Sequence, residues 1–186
     1  EQGEKKKYMT VMMLMAFTAM MVMFIDIMLV PAIPHFIVTF PDYAEWVSWI
    51  LSIYLFVGAV ANPIVGKLAD LYGKKKMLMI SLVIYAIGLF GCSIMHTNFI
   101  GILFFRSIQG IGLAMFPLFY GIIRDTFPKP MVPMAIGIVS AMFSIGVSIG
   151  LLGGGAIISA LSWEYCYYIT APLFVILIIV FHFKVQ

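Results

Sequence analysis

Six long apolar runs, separated by short polar segments, make up almost the whole chain. The runs cover residues 8–33, 46–65, 77–95, 99–123, 134–161 and 165–183. Each is long enough to cross the hydrocarbon core of a bilayer, which takes about 20 residues of helix. Backbone polar groups inside that core must bond within their own segment, and the runs lack the short alternating pattern of barrel strands. The pattern predicts one all-α membrane domain over residues 1–186, with six transmembrane helices after a polar tail at 1–7.

Composition narrows the class of protein further. Hydrophobic residues make up 63% of the 186 residues and charged residues only 10%, whereas soluble domains are about 25% charged. The net charge of +3 does not predict nucleic-acid binding, because the basic residues lie in short clusters at the ends of the runs. Cys92 and Cys166 lack metal or redox spacing, and neither HExxH nor GxSxG occurs. We therefore expect no enzymatic activity, no metal and no cofactor.

The distribution of basic residues predicts the orientation in the membrane. The segments on one side of a six-helix arrangement contain no Lys or Arg, and their charges are Asp42, Glu45 and Glu164. The segments on the other side contain Lys5, Lys6, Lys7, Lys67, Lys74, Lys75, Lys76, Arg124, Lys129 and Lys184. Because cytoplasmic loops carry an excess of Lys and Arg, we predict a cell-membrane protein with both termini in the cytoplasm.

The segment 66–76, GKLADLYGKKK, connects the second and third runs. Gly66 and Gly73 would permit close helix approach and a positive φ in the turn. Asp70 would accept hydrogen bonds from free N–H groups at the start of the third helix. Lys74 and the two lysines after it would anchor this loop at the cytoplasmic surface. These residues by themselves predict a basic hairpin between two membrane helices.

The order Gly-x-Leu-Ala-Asp-x-x-Gly-Lys-Lys after an apolar run resembles the loop between the second and third helices of major facilitator superfamily transporters. Leu71 stands where that family usually has a basic residue. The resemblance implies the N-terminal half of the family's fold, built from two inverted three-helix repeats. It also implies a cytoplasmic gate in which the loop Asp joins a charge network with helix four. The residues of this gate would be Gly66, Asp70, Gly73, Lys74, Arg124 and Asp125.

Asp26 and Arg106 are the ionisable residues that lie well inside apolar runs. At about 1.5 Å per residue, Asp26 lies ~27 Å from the start of its helix and Arg106 ~10–12 Å from the start of its own. The two residues can therefore meet in the outer-to-middle part of the bilayer, where such charges usually face a bundle interior. Two interpretations remain open. The pair holds two helices together, or Asp26 gains and loses a proton while Arg106 sets its proton affinity.

Four further segments resemble the same superfamily, and three of them resemble its drug/proton antiporter branch. Arg106, Gln109 and Gly110 follow the family's fourth-helix pattern, and FIDIMLVPAIP resembles its first helix. The run SWEYCYYITAPL resembles the entry to helix six in the fourteen-span branch. In the fifth run Leu151 stands where the branch has Pro, and the glycines that fit its pattern are Gly137, Gly146, Gly150, Gly154 and Gly155. The resemblance implies that Asp26, Arg106 and Gln109 couple proton movement to transport.

A small-molecule cavity is the last feature that the sequence suggests. Tyr54, Asn62, Phe116 and Tyr120 could contact apolar cations through their aromatic and amide groups, although packing or lipid-facing roles fit them equally well. The sequence favours a proton-coupled exporter of small hydrophobic or cationic compounds, which works by alternating access with a second six-helix half. That half would come from the same longer chain or from another copy. A metabolite transporter without coupling through Asp26 and a non-transporting six-helix scaffold remain as alternatives.

Overall fold

The computed structural model describes residues 2–184, with side chains described from Lys6 to Phe183. The predictions for the side chains of Lys5 and Lys184 therefore lie outside the described residues. Helices run over Gln2–Ile27, Ile33–Thr39, Trp49–Tyr72, Lys74–Ile94, Phe99–Gln109, Met115–Thr126, Val132–Ala160 and Glu164–Lys184. Short 3₁₀ helices cover Val30–Ala32, Pro41–Trp46, Gly110–Ala114 and Lys129–Met131. The predicted all-α class is confirmed for this part of the chain.

The helices join into six segments that are long and apolar enough to cross a membrane. We number them span 1 to span 6, and their ranges are Lys6–Thr39, Pro41–Tyr72, Lys74–Ile94, Phe99–Thr126, Lys129–Ala160 and Glu164–Phe183. The predicted number of transmembrane helices is therefore confirmed. The helical start at Gln2 also means that most of the predicted tail at 1–7 continues the first helix.

Span 1 extends beyond residue 33, where the first apolar run was predicted to end, and passes through Pro31 and Pro34. Its long helix stops at Ile27, and each proline then opens a new helical segment. Proline suits the first turn of a helix, where its missing N–H group has no intrahelical partner in any case. Span 1 therefore consists of a long helix and two short helical segments that continue to Thr39.

The predicted loop at 66–76 is almost entirely helical. One helix continues to Tyr72 and the next begins at Lys74, so that only Gly73 lies between them. Gly73 has the positive φ, 97°, that the sequence predicted for this turn. Gly66 instead lies inside a helix, and among the described residues no atom would meet a Cβ there within 4 Å, so no close helix approach is found at this glycine within this part of the chain. Asp70 precedes the turn, and no side chain caps the following helix, so its predicted capping role is wrong.

Close helix contacts in the bundle depend on glycine. A Cβ on Gly150 of span 5 would lie 2.9 Å from the carbonyl oxygen of Phe24 in span 1. Similarly, a Cβ on Gly110 of span 4 would lie 2.8 Å from the Tyr54 carbonyl of span 2, and one on Gly88 of span 3 would lie 2.9 Å from the Phe105 carbonyl. Membrane helices approach one another closely where side chains are small. These glycines pack spans 1 and 5 together, and spans 2 and 3 against span 4.

The two ends of the bundle differ in chemistry. Lys7, Lys75 and Thr126 line one cavity at the first end, which we call the basic end. At the other end, the rings of Phe36 and Trp163 lie 4.5 Å apart and those of Tyr43 and Phe99 lie 4.7 Å apart. The first contact joins span 1 to the residue before span 6, and the second joins spans 2 and 4. We call this part of the bundle the aromatic end.

Candidate functional site

Asp26 and Arg106 form a buried ion pair between spans 1 and 4. The Arg106 Nη1 atom lies 3.4 Å from Asp26 Oδ1, and the side chains are 1% and 3% exposed respectively. The same Nη1 atom donates to Gln109 Oε1 at 2.7 Å, and Arg106 Nε donates to the Ile50 carbonyl at 3.2 Å. A buried guanidinium needs several acceptors to satisfy its five N–H donors. The three sequence-predicted coupling residues thus lie together, and Gln109 holds Arg106 across one turn of helix.

Two tyrosines complete the surroundings of this pair. The Tyr85 hydroxyl donates to Asp26 Oδ1 at 3.0 Å, and the Arg106 guanidinium lies 5.0 Å from the centre of the Tyr54 ring. Tyr54 therefore lies beside the ion pair and does not line the groove that the sequence suggested for it. Sequence reasoning missed Tyr85, since a tyrosine within an apolar run has no distinguishing pattern. Only its position opposite Asp26 reveals its role.

The ion-pair site is incompletely hydrogen-bonded. Among the described residues, Asp26 Oδ2, the Tyr54 hydroxyl and Gln109 Nε2 are buried without a hydrogen-bond partner. Buried polar atoms are usually satisfied, and each exception calls for an explanation. Asp26 Oδ2 is a hydrogen-bond acceptor, whereas the Tyr54 hydroxyl and Gln109 Nε2 can donate. The site therefore combines a buried guanidinium with a carboxylate oxygen that makes no hydrogen bond to the described residues.

A groove of about 460 Å³ lies between spans 2, 4 and 5. Asn62, Phe116 and Tyr120 line it, and the Tyr120 hydroxyl lies 3.0 Å from the Ser140 hydroxyl. The rings of Phe116 and Phe143 meet edge to face at 4.9 Å. Aromatic faces together with hydroxyl and amide groups suit small apolar or cationic molecules. Three of the four side chains suggested for a cavity thus share one groove.

The glycines of span 5 differ in what they contact. Gly146, Gly150 and Gly154 are buried against backbone atoms of Met20, Phe24 and Met28 in span 1. Gly155 only approaches the Pro31 ring, where a Cβ would lie 4.0 Å away, and Gly137 meets nothing within 4 Å. Gly146, Gly150 and Gly154 therefore allow the backbone of span 5 to pack against span 1, which carries Asp26.

At the basic end, Lys74 and Asp125 form an ion pair. Lys74 Nζ lies 2.6 Å from Asp125 Oδ2, and this pair links span 3 to the end of span 4. A Cβ on Gly121 would lie 2.9 Å from Lys74 Cδ, so Gly121 leaves room for the lysine side chain. Asp70, Lys74 and Asp125 all line one surface cavity of about 570 Å³. Neither Asp70 nor Arg124 forms an ion pair within residues 6–183.

Comparison with known proteins identifies the family. The sequence profile described as Major Facilitator Superfamily matches residues 12–186. The chain belongs to the major facilitator superfamily. This match confirms the resemblance that began with segment 66–76, and the six spans are those of a facilitator-type membrane protein.

Several curated relatives of this facilitator chain are named as multidrug resistance or efflux proteins. Multidrug resistance protein 3 of Bacillus subtilis is 34% identical over 127 residues, which are 68% of this chain and 25% of that protein. Multidrug efflux pump SdrM of Staphylococcus aureus is 32% identical over 142 residues, 74% of this chain and 32% of that protein. Efflux pump dotC of Dothistroma septosporum is 33% identical over 127 residues, 68% of this chain and 22% of that protein. The chain thus spans less than a third of the length of these relatives.

Proposed function

We propose that this facilitator domain belongs to a secondary transporter that exports small hydrophobic or cationic compounds in exchange for protons. The observation that carries this proposal is the buried Asp26–Arg106 pair, with one Asp26 oxygen free of any hydrogen-bond partner among the described residues. A carboxylate that is needed only for packing would be fully bonded or replaced by an apolar residue at lower cost. The multidrug and efflux names of the relatives support the same substrate class.

Asp26 acts as the proton carrier in this proposal. Arg106 stabilises the charged carboxylate, Gln109 fixes the guanidinium, and protonation of Asp26 releases part of that attraction. The freed cation then changes its contacts with Gln109 and with the Ile50 carbonyl. Because Gln109 immediately precedes the 3₁₀ segment of span 4, such a change acts on the wall of the groove.

The groove between spans 2, 4 and 5 receives the substrate. Phe116 and Tyr120 provide ring faces for an apolar cation, while Asn62 and Ser140 provide polar contacts. The groove is open on one side, and a second six-helix half closes it in this proposal. Facilitator-type transporters expose such a midplane site alternately to the two sides of the membrane by rocking one half against the other.

The Lys74–Asp125 pair, with Asp70 and Arg124 nearby, gates the cytoplasmic side. Its 2.6 Å contact joins spans 3 and 4 at the basic end, and Gly73 allows the tight reversal that brings Lys74 there. The gate residues stabilise one access state, and separation of the pair favours the other.

The test is uptake of ethidium into inverted vesicles under an imposed pH gradient. The protein is compared with Asp26→Asn, and with Asp42→Asn as a control in an exposed segment. Both the 186-residue chain and the same chain joined to whatever coding sequence follows Gln186 are assayed. We expect gradient-driven uptake that Asp26→Asn abolishes and Asp42→Asn leaves unchanged.

The outcomes separate the alternatives. Uptake that survives Asp26→Asn contradicts proton transfer through Asp26 and favours a facilitator without that coupling. If folded protein in both forms shows no gradient-driven flux of any tested compound, the result favours a non-transporting six-helix scaffold. Uptake by the short chain alone indicates that two copies assemble, whereas uptake by the longer form alone assigns the second half to the same chain.

A further inference from the structure

The Tyr85 side chain of span 3 contacts three other spans, 1, 4 and 6, close to Asp26. It is fully buried, and its ring centre lies 4.8 Å from that of Phe174 in span 6. Its hydroxyl donates to Asp26 of span 1, and its ring lies against Gly112 of span 4. Tyr85 therefore contacts the proposed proton carrier at one end and the interrupted helix along its side.

The Tyr85 hydroxyl has two acceptors in span 1. Asp26 Oδ1 lies 3.0 Å away, and the Val22 carbonyl oxygen lies 3.5 Å away. A hydroxyl donates one hydrogen, so it serves one of these acceptors well at a time. A charged carboxylate is the stronger acceptor, because hydrogen bonds to ionised groups are shorter and stronger than neutral ones. Protonation of Asp26 therefore weakens its hold on Tyr85 and favours rotation toward Val22.

Movement of the Tyr85 ring would be transmitted to span 4. A Cβ on Gly112 would lie 2.8 Å from the ring atoms Cδ2 and Cε2, so the ring rests directly on the backbone there. Gly112 is in the middle of the 3₁₀ segment Gly110–Ala114, which interrupts span 4. A short 3₁₀ segment within a longer helix often marks a hinge. Leu113, which follows Gly112 directly, and Phe116 line the groove between spans 2, 4 and 5.

We infer that Tyr85 is a positioning residue that couples the proton on Asp26 to the shape of the groove, through its ring contact with Gly112. The inference rests on the proposed function, since it concerns how proton binding alters substrate affinity at the same site. Tyr85 contacts neither the groove nor the substrate. It acts on Asp26 through its hydroxyl and on span 4 through its ring.

The other ionisable groups around Asp26 are few. Span 2 contributes Tyr54 and span 4 contributes Arg106, while Cys92 of span 3 and Tyr167 of span 6 lie close enough to interact with that arginine. The helix of span 5, Val132–Ala160, contains no ionisable residue. Tyr85 and Arg106 both hydrogen-bond to Asp26, and the Tyr85 ring also rests against Gly112 of the 3₁₀ segment.

The experiment measures binding of tetraphenylphosphonium, a hydrophobic cation, to the complete protein in lipid nanodiscs between pH 5.5 and pH 8.5. We expect protons and the cation to oppose each other, with a change in Kd of about 5- to 150-fold, the usual range for coupled sites. Tyr85→Phe keeps the ring and removes the hydroxyl, and we expect it to abolish at least half of that change on a logarithmic scale. Gly112→Ala tests the ring contact and should reduce the change as well.

Three controls isolate the coupling. Tyr168→Phe removes a hydroxyl from the exposed surface of span 6, and Gly137→Ala adds a methyl group in open space. Both should leave the pH dependence of Kd unchanged. Combining Tyr85→Phe with Asp26→Asn should give the same flat profile as Asp26→Asn alone. Infrared difference spectra provide a second measurement, since the carbonyl band of protonated Asp26 should shift in Tyr85→Phe.

The results distinguish this inference from the proposed function. The inference alone is overturned if the affinity of the unmodified protein for the cation varies with pH and the same pH dependence is seen in Tyr85→Phe and Gly112→Ala. An equal loss of affinity at every pH in Tyr85→Phe also overturns it, because that pattern indicates a purely structural role. If the unmodified protein binds no cation, or binds it independently of pH, both the inference and proton-coupled export fail.

Discussion

At the scale of single residues, Gly73 carries the turn between spans 2 and 3. Its φ of 97° and ψ of 134° lie in a region that side chains with a Cβ rarely adopt. One residue reverses the chain here, because the helices end at Tyr72 and begin again at Lys74. This reversal places Lys74 against Asp125.

Gly73→Ala should therefore destabilise the folded protein by about 1–3 kcal/mol through backbone strain. Gly66→Ala is the matched control, because that glycine is helical with open space around it and alanine is the better helix former. The free energy of unfolding, measured by denaturant titration in mixed micelles, should fall for Gly73→Ala and stay level or rise for Gly66→Ala. Equal values for the two variants would contradict a strained turn at Gly73.

The residues of the ion-pair site differ in how far the sequence revealed them. Asp26 and Arg106 were identifiable because a charge inside an apolar run is costly and therefore has a reason to be there. Tyr85 was not identifiable, since tyrosine is at home in apolar runs and no spacing ties it to Asp26. The position of Tyr54 beside Arg106, instead of in the groove, likewise depends on how spans 2 and 4 cross.

At the scale of whole helices, the contact between spans 1 and 5 is the most extensive in the bundle. It depends on a glycine every fourth residue, Gly146, Gly150 and Gly154, which places three successive turns of span 5 against the span 1 backbone. This contact fixes the helix that carries Asp26.

Gly150→Ala should weaken this contact. The new Cβ would lie 2.9 Å from the Phe24 carbonyl oxygen, so the backbones must separate, and overpacking of this kind costs about 1–3 kcal/mol. Gly137→Ala, in the same helix but with nothing within 4 Å, should change the melting temperature little. Thermal unfolding in detergent compares the two. A similar loss from Gly137→Ala would contradict close packing at Gly150 as the cause of the destabilisation.

The Lys74–Asp125 pair joins spans 3 and 4 at a half-exposed site. With side-chain exposures of 29% and 55%, the pair should contribute no more than about 1 kcal/mol. Lys74 also lies in the first turn of its helix, where a positive charge opposes the helix dipole. Lys74→Ala therefore removes both the ion pair and the unfavourable interaction with the helix dipole. The stability change of this single variant is consequently smaller than the energy of the ion pair.

A double-mutant cycle with Lys74→Ala and Asp125→Ala isolates the pairwise energy. We expect a coupling of about 0.2–1 kcal/mol that decreases with added salt. Lys76→Ala with Asp125→Ala is the control cycle, and it should show no coupling because Lys76 lies over the Tyr72 ring instead. A coupling that is unaffected by salt would contradict a solvent-screened pair.

At the scale of the whole molecule, the six spans bury very different fractions of their surface. In the apolar parts of spans 1 and 3, 61% of the residues are buried, whereas only 22% are buried in those of spans 2 and 5. Spans 2 and 5 also border the groove, and their exposed faces include Ser52, Ser144 and Ser148. These features fit the proposal that a second six-helix half covers this side.

The orientation of the bundle is a prediction that labelling can test. Lys75→Cys and Glu45→Cys place exposed thiols at the basic and opposite ends, and the native Cys92 and Cys166 are buried. A maleimide that cannot cross membranes should label Glu45→Cys in intact cells and Lys75→Cys only after the cells are opened. Labelling of Lys75→Cys in intact cells would reverse the predicted topology.

The sequence by itself determined the membrane class, the number of spans, the family and the presence of two charges, Asp26 and Arg106, inside apolar runs. Each of these follows from properties that a linear chain displays directly, namely the length of apolar runs, isolated charges and short motifs. Only the tertiary structure decided that segment 66–76 is nearly all helix, that span 4 is interrupted at Gly110–Ala114, and that Tyr85 links Asp26 to Gly112. These features depend on which helices pack together and on how closely their backbones approach, and no local pattern encodes either quantity.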